Sequence, residues 1–167
     1  MNENKTNTGC NRPSLTLYHA NARGTGSAIR FALHPATADA DGYISVAMAC
    51  QKSVGHFPIF DWDNSVEFML MFADVAQFLQ VFRGEVESVA DGKGIYYRES
   101  EYSLRVVLRH IIEPMVGYSL EVYRKDGSGA ETSVRFFLTS AEALGICCAF
   151  EDSLGLLVFG DSSKLLG

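Results

Sequence analysis

The sequence predicts an α+β protein made of two β4α repeats, which form two antiparallel four-stranded sheets with two helices. Three observations predict this class. Apolar and polar residues alternate in eight short segments, which is typical of half-buried strands. Two other segments carry apolar residues at helical spacing, and each directly follows a fourth alternating segment. The 167 residues, 47% of them hydrophobic, suffice for one sizeable core.

The first half of the chain begins with polar residues 1–13, where we expect disorder. Alternation then predicts four strands: Ser14 to His19, Ala28 to His34, Tyr43 to Gln51, and Val66 to Phe72. Asp74 followed three residues later by Gln77 has the form of a capping box. We therefore expect a first helix that begins at Asp74 and ends before Gly84, where the helical spacing stops.

The second half repeats this plan. Its predicted strands are Gly94 to Arg98, Ser103 to Ile111, Tyr118 to Lys125, and Ser133 to Leu138. Thr139 and Glu142 form a second capping box, which opens a helix that extends to Phe159. We expect a single domain over residues 14–160, with repeat one at 14–91, repeat two at 92–160 and a C-terminal tail at 161–167.

Composition and charge narrow the classes of function. The 14 Lys and Arg residues face 20 Asp and Glu residues, so the net charge is −6 and nucleic-acid binding requires a local basic patch. No run approaches the roughly 20 apolar residues of a membrane helix, and residues 1–13 do not resemble a signal peptide. We expect a cytoplasmic protein with no membrane partner. The four cysteines are too few for a disulfide framework; the adjacent Cys147 and Cys148 are predicted to be reduced core residues, and Cys50 is expected to point inward from the third strand.

Motifs for catalysis and metal binding are missing from the sequence. There is no G-x-S-x-G, C-x-x-C or H-x-x-x-H, and the four histidines are scattered. Asp61 and Asp63 are a tight carboxylate pair, but Phe60 and Trp62 beside them indicate a loop anchored by aromatic rings. We expect no enzymatic activity, no cofactor and no metal.

The outward faces of the predicted strands carry cations and aromatic rings. If Leu104, Val106 and Leu108 point inward, Arg105 and Arg109 point outward with Val107. Between Gly92 and Leu138 seven basic and six acidic residues give +1, so the rest of the chain carries −7. Because single strands are held by cations at phosphates and by rings against bases, this pattern favours nucleic-acid binding. Solvated arginines that pair with carboxylates across strands are the alternative interpretation.

The order of elements also resembles a known family. Two units of four strands and a capped helix, joined by the turn Gly92-Lys93-Gly94, resemble the Whirly-type single-stranded DNA-binding fold. Relatives of that fold include the transcriptional coactivator positive cofactor four and mitochondrial guide-RNA-binding proteins. The resemblance implies propeller-like sheets, central helices, assembly as a dimer or tetramer, and nucleic acid across the sheet surfaces. The Lys-Gly-Lys-Ala-Ala-Leu signature of the plant family is absent, and Thr25-Gly26-Ser27-Ala28-Ile29 stands in its neighbourhood.

These observations lead to one hypothesis and one alternative. The hypothesis is an oligomeric protein that binds single-stranded nucleic acid, with DNA favoured over RNA. Its candidate binding residues are Arg30, Tyr43, Lys93, Tyr97, Arg98, Arg105, Arg109, Tyr123, Lys125 and Arg135. The alternative is a non-enzymatic oligomeric scaffold or protein-binding module of the same fold. Met69, Met71 and residues 154–159 are more apolar than one buried face requires, which predicts contacts between subunits.

Overall fold

Sheet one contains the first four strands in chain order, and all of its pairs are antiparallel. The computed structural model describes residues 12–163. Residues 1–11 and 164–167, which hold most of the predicted disordered N-terminus and tail, lie outside the described residues. The strands are β1 (Ser14–His19), β2 (Ser27–His34), β3 (Tyr43–Cys50) and β4 (Val66–Leu70).

Sheet two contains the last four strands, again antiparallel and in chain order. Its strands are β5 (Ile95–Arg98), β6 (Tyr102–Ile111), β7 (Gly117–Asp126) and β8 (Glu131–Thr139). One helix follows each sheet: α1 (Phe72–Phe82) and α2 (Ser140–Phe159). The predicted fold class, with two antiparallel four-stranded sheets and two helices, is confirmed.

The core lies between the inward faces of both sheets and the two helices. On β6, Leu104, Val106 and Leu108 are buried, and the β7 and β8 neighbours of Val106 and Leu108 on the same face are buried with them. Phe78 of α1 and Phe150 of α2 join this cluster with ring centroids 6.3 Å apart. Because side chains alternate along a strand, one buried face leaves the opposite face of each sheet to solvent.

The capping box predicted for α2 is present. The Thr139 hydroxyl accepts a hydrogen bond from the Glu142 amide at 3.2 Å, and the Glu142 carboxylate accepts one from the Thr139 amide at 2.9 Å. Each residue thus satisfies a backbone N–H group that the helix itself leaves without a partner.

The predicted N-cap of α1, Asp74, is wrong by three residues, because the N-cap is Met71. Asp74 is not the N-cap but the third helical residue, and its carboxylate accepts a hydrogen bond from the Met71 amide at 3.0 Å. Met71 has extended backbone angles, so the helix begins at Phe72, which the alternation had placed in strand four. An acidic residue in the first turn is favourable at either position because it meets the positive end of the helix dipole.

Polar and aromatic contacts of Ser27 and His19 help to join sheet one to sheet two. The Ser27 hydroxyl at the start of β2 donates a hydrogen bond to the Arg135 carbonyl of β8 at 2.6 Å. The His19 imidazole at the end of β1 stacks on Phe136 of β8 at 4.4 Å and lies 2.8 Å from a Glu142 oxygen. These contacts tie β1 and β2 to β8 and to the start of α2.

The cysteine prediction is wrong in part. Cys50, Cys147 and Cys148 are free thiols, but Cys50 and Cys148 are exposed rather than in the core. Cys148 lies on the solvent side of α2, because the buried stripe of that helix passes through Ile146 and Phe150 instead. Within residues 12–163, no helix combines the length and apolar character that crossing a membrane requires.

Candidate nucleic-acid interface

The outward side of sheet two carries most of the predicted binding residues. Strand register places Tyr96, Arg105 and Tyr123 side by side on β5, β6 and β7. We use "the outer face" for this side of sheet two. Its polar and aromatic members are Tyr96, Arg98, Ser103, Arg105, Arg109, Ser119, Glu121, Tyr123, Lys125, Glu131, Ser133, Arg135 and Phe137.

Tyr96, Arg105 and Tyr123 form a row of ring, cation and ring. The Arg105 guanidinium lies over the Tyr123 ring, 4.2 Å from its centroid, and Tyr96 is 67% exposed. Burial raises the pKa of Tyr123, and a hydrogen bond with Glu121 raises it further, so the phenol stays neutral. The row therefore offers flat rings for bases with a positive charge between them.

Further cations lie on both sides of this row. The next row contains Arg98 and Lys125 with Ser103 between them, about 6.6 Å away because it is two residues along each strand. Arg109 lies four residues along β6 in the other direction. All three of these cationic residues are exposed. Phosphates of a strand that crosses the sheet thus find positive charge on either side of the aromatic row.

A groove of about 410 Å³ continues the outer face beyond Arg109. Its floor includes Phe137, whose ring lies across Gly117, where a Cβ atom would come 2.5 Å from a ring carbon. The connection between β6 and β7 borders the groove, and Met115 in it is 60% exposed. A side chain at position 117 would lift the Phe137 ring and so remove the flat floor.

One predicted cation is neutralised within the protein. Arg135 donates two hydrogen bonds to the Glu121 carboxylate, both at 3.1 Å. The Arg135 side chain is 66% exposed, whereas that of Glu121 is 13% exposed. This ion pair is the cross-strand arrangement that the alternative interpretation requires, but it occupies Arg135 rather than Arg105 or Arg109.

Arg30 belongs to a separate cation and aromatic group on sheet one. Its guanidinium lies 4.2 Å from the Trp62 ring centroid, and its Nε donates a hydrogen bond to the Thr16 hydroxyl at 3.3 Å. Phe60 and Trp62 fold back from the connection between β3 and β4 and contact Tyr18, with centroid distances of 5.4 and 6.5 Å. The predicted anchoring by these two rings is thus present.

The structure moves Tyr97 away from the outer face. Tyr97 pairs with the buried Leu104, so it lies on the core side of sheet two, where its hydroxyl donates a hydrogen bond to Asp74 at 3.2 Å. Burial, followed by the nearby Asp74 carboxylate, raises the pKa of Tyr97. Tyr96 occupies the outward position that the sequence pattern predicted for Tyr97.

Three other residues of the sequence prediction lie outside the strands of sheet two or are covered. Lys93 is exposed in the turn before β5, outside the strands. Tyr43 stacks on His34 at 4.3 Å on sheet one rather than sheet two. Val107, predicted to point outward, is buried because the turn at Gly94 lies against it.

Solved structures of other proteins share the fold of this chain. No protein-family model matches the chain, and no curated protein does. WHY1 from Arabidopsis thaliana has a solved structure with a TM-score of 0.73 and 15% identity, covering 93% of this chain and 92% of that one. The plant transcriptional regulator PBF-2 gives a TM-score of 0.67 at 13% identity, over 87% of this chain and 82% of that one. A guide-RNA-binding protein complex gives a TM-score of 0.59 at 15% identity, over 86% of this chain and 90% of that one. The chain therefore has a Whirly-type fold.

Proposed function

We propose that this protein binds single-stranded nucleic acid across the outer face of sheet two, with DNA as the preferred ligand. The observation that carries the proposal is the row of Tyr96, Arg105 and Tyr123: strand register places Arg105 between the two tyrosines, its guanidinium lies over the Tyr123 ring, and Tyr96 is exposed. Bases stack on such rings whatever their sequence, because every base has an aromatic face.

Local charge supports the proposal despite the net charge of −6. The outer face has Arg98, Arg105, Arg109 and Lys125 without a salt bridge to them among the described residues, whereas Arg135 is paired with Glu121. Exposed charges separated by more than about 8 to 10 Å are largely screened at physiological salt. A bound phosphate therefore senses the nearby cations more strongly than the acidic remainder of the chain.

The solved structures of similar fold support a nucleic-acid ligand in general. One is described as a transcriptional regulator and another as a guide-RNA-binding complex bound to its RNA. Together they leave DNA and RNA both open as ligands, so the preference for DNA is part of our proposal.

Fluorescence anisotropy with a labelled 30-nucleotide single strand tests the proposal. We expect tight binding to single-stranded DNA, weaker binding to RNA of the same sequence, and little competition from a DNA duplex. The double variant Arg105→Ala, Arg109→Ala should bind at least about tenfold more weakly, since it removes two phosphate contacts and the cation between the rings.

The matched control removes two positive charges at positions outside the outer face. Arg12 lies before β1 and Arg23 in the turn after β1; both are exposed, and neither forms a salt bridge among the described residues. The variant Arg12→Ala, Arg23→Ala should bind like the wild type. Equal losses in both double variants would mean that net charge rather than the outer face holds the strand, and would contradict the proposal.

Self-association is a second candidate property, and the exposed side of α2 favours it. Leu144 and Phe159 are 66% and 82% exposed, Cys148 and Gly155 lie between them on the same side of the helix, and Glu151 and Asp152 flank this stripe in its middle turn. Exposed apolar stripes of this kind mark protein interfaces. We propose a homo-oligomer, a dimer or tetramer, joined through α2. Light scattering should give a multiple of 18.3 kDa, reduced to the monomer mass in Leu144→Glu; a monomeric wild type would contradict it.

A further inference from the structure

A second concave site lies where the two sheets meet, away from the outer face. It is a cleft of about 500 Å³ between the solvent side of sheet one at β3 and β4 and the core side of sheet two at β5 and β6. We call it the β4/β5 cleft. The residues that the argument uses are His34, Tyr43, Glu67, Tyr97, Glu99 and Tyr102.

Stacked rings form the sheet-one wall of the cleft. The His34 and Tyr43 rings are 4.3 Å apart and only 11° from parallel, and the His34 Nε2 atom lies 3.1 Å from the Ser45 hydroxyl. Burial lowers the pKa of His34, and the Arg12 charge lowers it further, so the imidazole is neutral at physiological pH. The wall is therefore flat, aromatic and uncharged.

The opposite wall is also aromatic, and contacts with neighbouring side chains hold its rings. The Tyr97 hydroxyl donates a hydrogen bond to Asp74 at 3.2 Å, and its ring lies 6.2 Å from that of Phe68. The Arg124 guanidinium lies 4.4 Å from the Tyr102 ring centroid. Two aromatic walls held in this way suit a planar ring system such as a nucleobase.

The carboxylates at the rim disfavour a phosphate. The described residues that line the cleft include the exposed Glu67 and Glu99 and neither lysine nor arginine; the Arg124 guanidinium, which is not among them, lies over the Tyr102 ring. Carboxylates accept hydrogen bonds and donate none, so they match N–H groups on a ligand. A base that enters with its phosphates left outside meets both the rings and the acceptors.

We propose that the β4/β5 cleft holds one unstacked base that carries an exocyclic amino group, such as cytosine, and discriminates against thymine and uracil. The amino group of cytosine donates to a carboxylate, which is a recognised pairing of Glu with that base. Thymine and uracil lack that amino group and present a single N3–H between two carbonyl oxygens, which repel a carboxylate, so they match the acceptors less well. The inference rests on the proposed single-strand binding and adds a base preference to it.

Binding of two homopolymers of equal length and charge tests this inference. Anisotropy titrations with labelled dC30 and dT30 at about pH 8 should show dC30 bound at least about fivefold more tightly by the wild type. The double variant Glu67→Gln, Glu99→Gln keeps side-chain size and removes both charges. Its ratio of the two dissociation constants should fall towards one.

The control for this test is Glu101→Gln, which removes a carboxylate from the exposed turn between β5 and β6, outside the cleft. It should keep the wild-type ratio. Tight but equal binding of both homopolymers, or a preference that survives the double variant, overturns the cleft assignment and leaves the proposed function intact. Failure of the wild type to bind either strand overturns the proposed function and the cleft together.

Discussion

Arg105 and Arg135 occupy the same face of sheet two but have different partners. Arg105 lies over the ring of Tyr123, where its charge remains available to a ligand, whereas Arg135 is held by two hydrogen bonds to Glu121. A phosphate has to displace a carboxylate from Arg135 but not from Arg105. The value of a surface arginine for binding therefore depends on its nearest carboxylate, not on its outward direction alone.

Removal of that carboxylate charge should strengthen binding. In Glu121→Gln the Arg135 charge becomes available, so we expect tighter binding of single-stranded DNA and a steeper salt dependence, by about 0.7 in the slope of log K against log salt. Parallel anisotropy titrations measure both quantities. Glu131→Gln on the same face, for which no salt bridge is formed among the described residues, is the comparison. If Glu121→Gln weakened binding, Glu121 would itself contact the ligand.

Residue-level prediction failed where the alternation was ambiguous. Tyr96 and Tyr97 are adjacent tyrosines, so composition does not say which one points outward, and a shift of one residue reverses the face. Tyr97 pairs with the inward Leu104, and Tyr96 pairs with the outward Arg105, so Tyr96 is the outward ring. Both pairings depend on the register between β5 and β6. Val107 was assigned to the correct face but is covered by the turn at Gly94, which no periodicity reveals.

At the scale of elements, the start of α2 links helix capping to the joint between the sheets. One carboxylate oxygen of Glu142 accepts a hydrogen bond from the Thr139 amide, and the other oxygen lies 2.8 Å from the His19 imidazole of β1. Burial alone would raise the pKa of Glu142, but the hydrogen bonds with Thr139 and His19 outweigh it, so the pKa lies below its usual value. One carboxylate thus supports both a helix end and a contact between sheets.

This lowered pKa predicts the pH dependence of stability. A carboxyl group with a lower pKa in the folded state stabilises the fold fully above its unfolded pKa, and this stabilisation is lost as pH falls through the folded value. At pH 7 we expect Glu142→Gln to be less stable than the wild type by about 0.5 to 1 kcal/mol, because the amide can keep the capping hydrogen bond but loses the negative charge at the helix N-terminus. Below about pH 4 the difference should close.

Urea unfolding at pH 7 and at pH 3 measures this difference. Glu131→Gln, at the exposed start of β8, serves as the control, and its free energy of unfolding should match that of the wild type at pH 7. A Glu142→Gln protein as stable as the wild type at pH 7 would show that the Glu142 carboxylate contributes nothing at the joint.

Element boundaries were predictable where two local signals agreed. For α2 the end of the alternation and the capping box coincide at Thr139, and the predicted start is confirmed. For α1 the alternation continues through Phe72, whereas the helix already begins there with Asp74 in its first turn. Aspartate is favourable both as an N-cap and in the first turn, so its presence alone does not fix which residue begins the helix.

At the scale of the whole molecule, one core supports two outward sheet faces. Both inward faces and both helices contribute to a single hydrophobic cluster, while Ser27 and His19 join sheet one to β8 and α2. The order of elements was predictable because periods of two and 3.6 residues are properties of the chain itself. The β4/β5 cleft was not, since it forms only when residues from β2 to β6 meet in three dimensions.

The dependence of binding on salt is the most direct test of the central claim, that cations of the outer face hold a single strand. Four cations of that face form no salt bridge among the described residues: Arg98, Arg109 and Lys125, which are exposed, and Arg105, which is half-buried. Release of about 0.7 counterions for each phosphate contact on a single strand predicts a slope of log K against log salt near −3. Anisotropy titrations between about 50 and 300 mM salt should give that slope, reduced by about 0.7 in Arg109→Ala. A slope near zero, or one unchanged in Arg109→Ala, would contradict the claim.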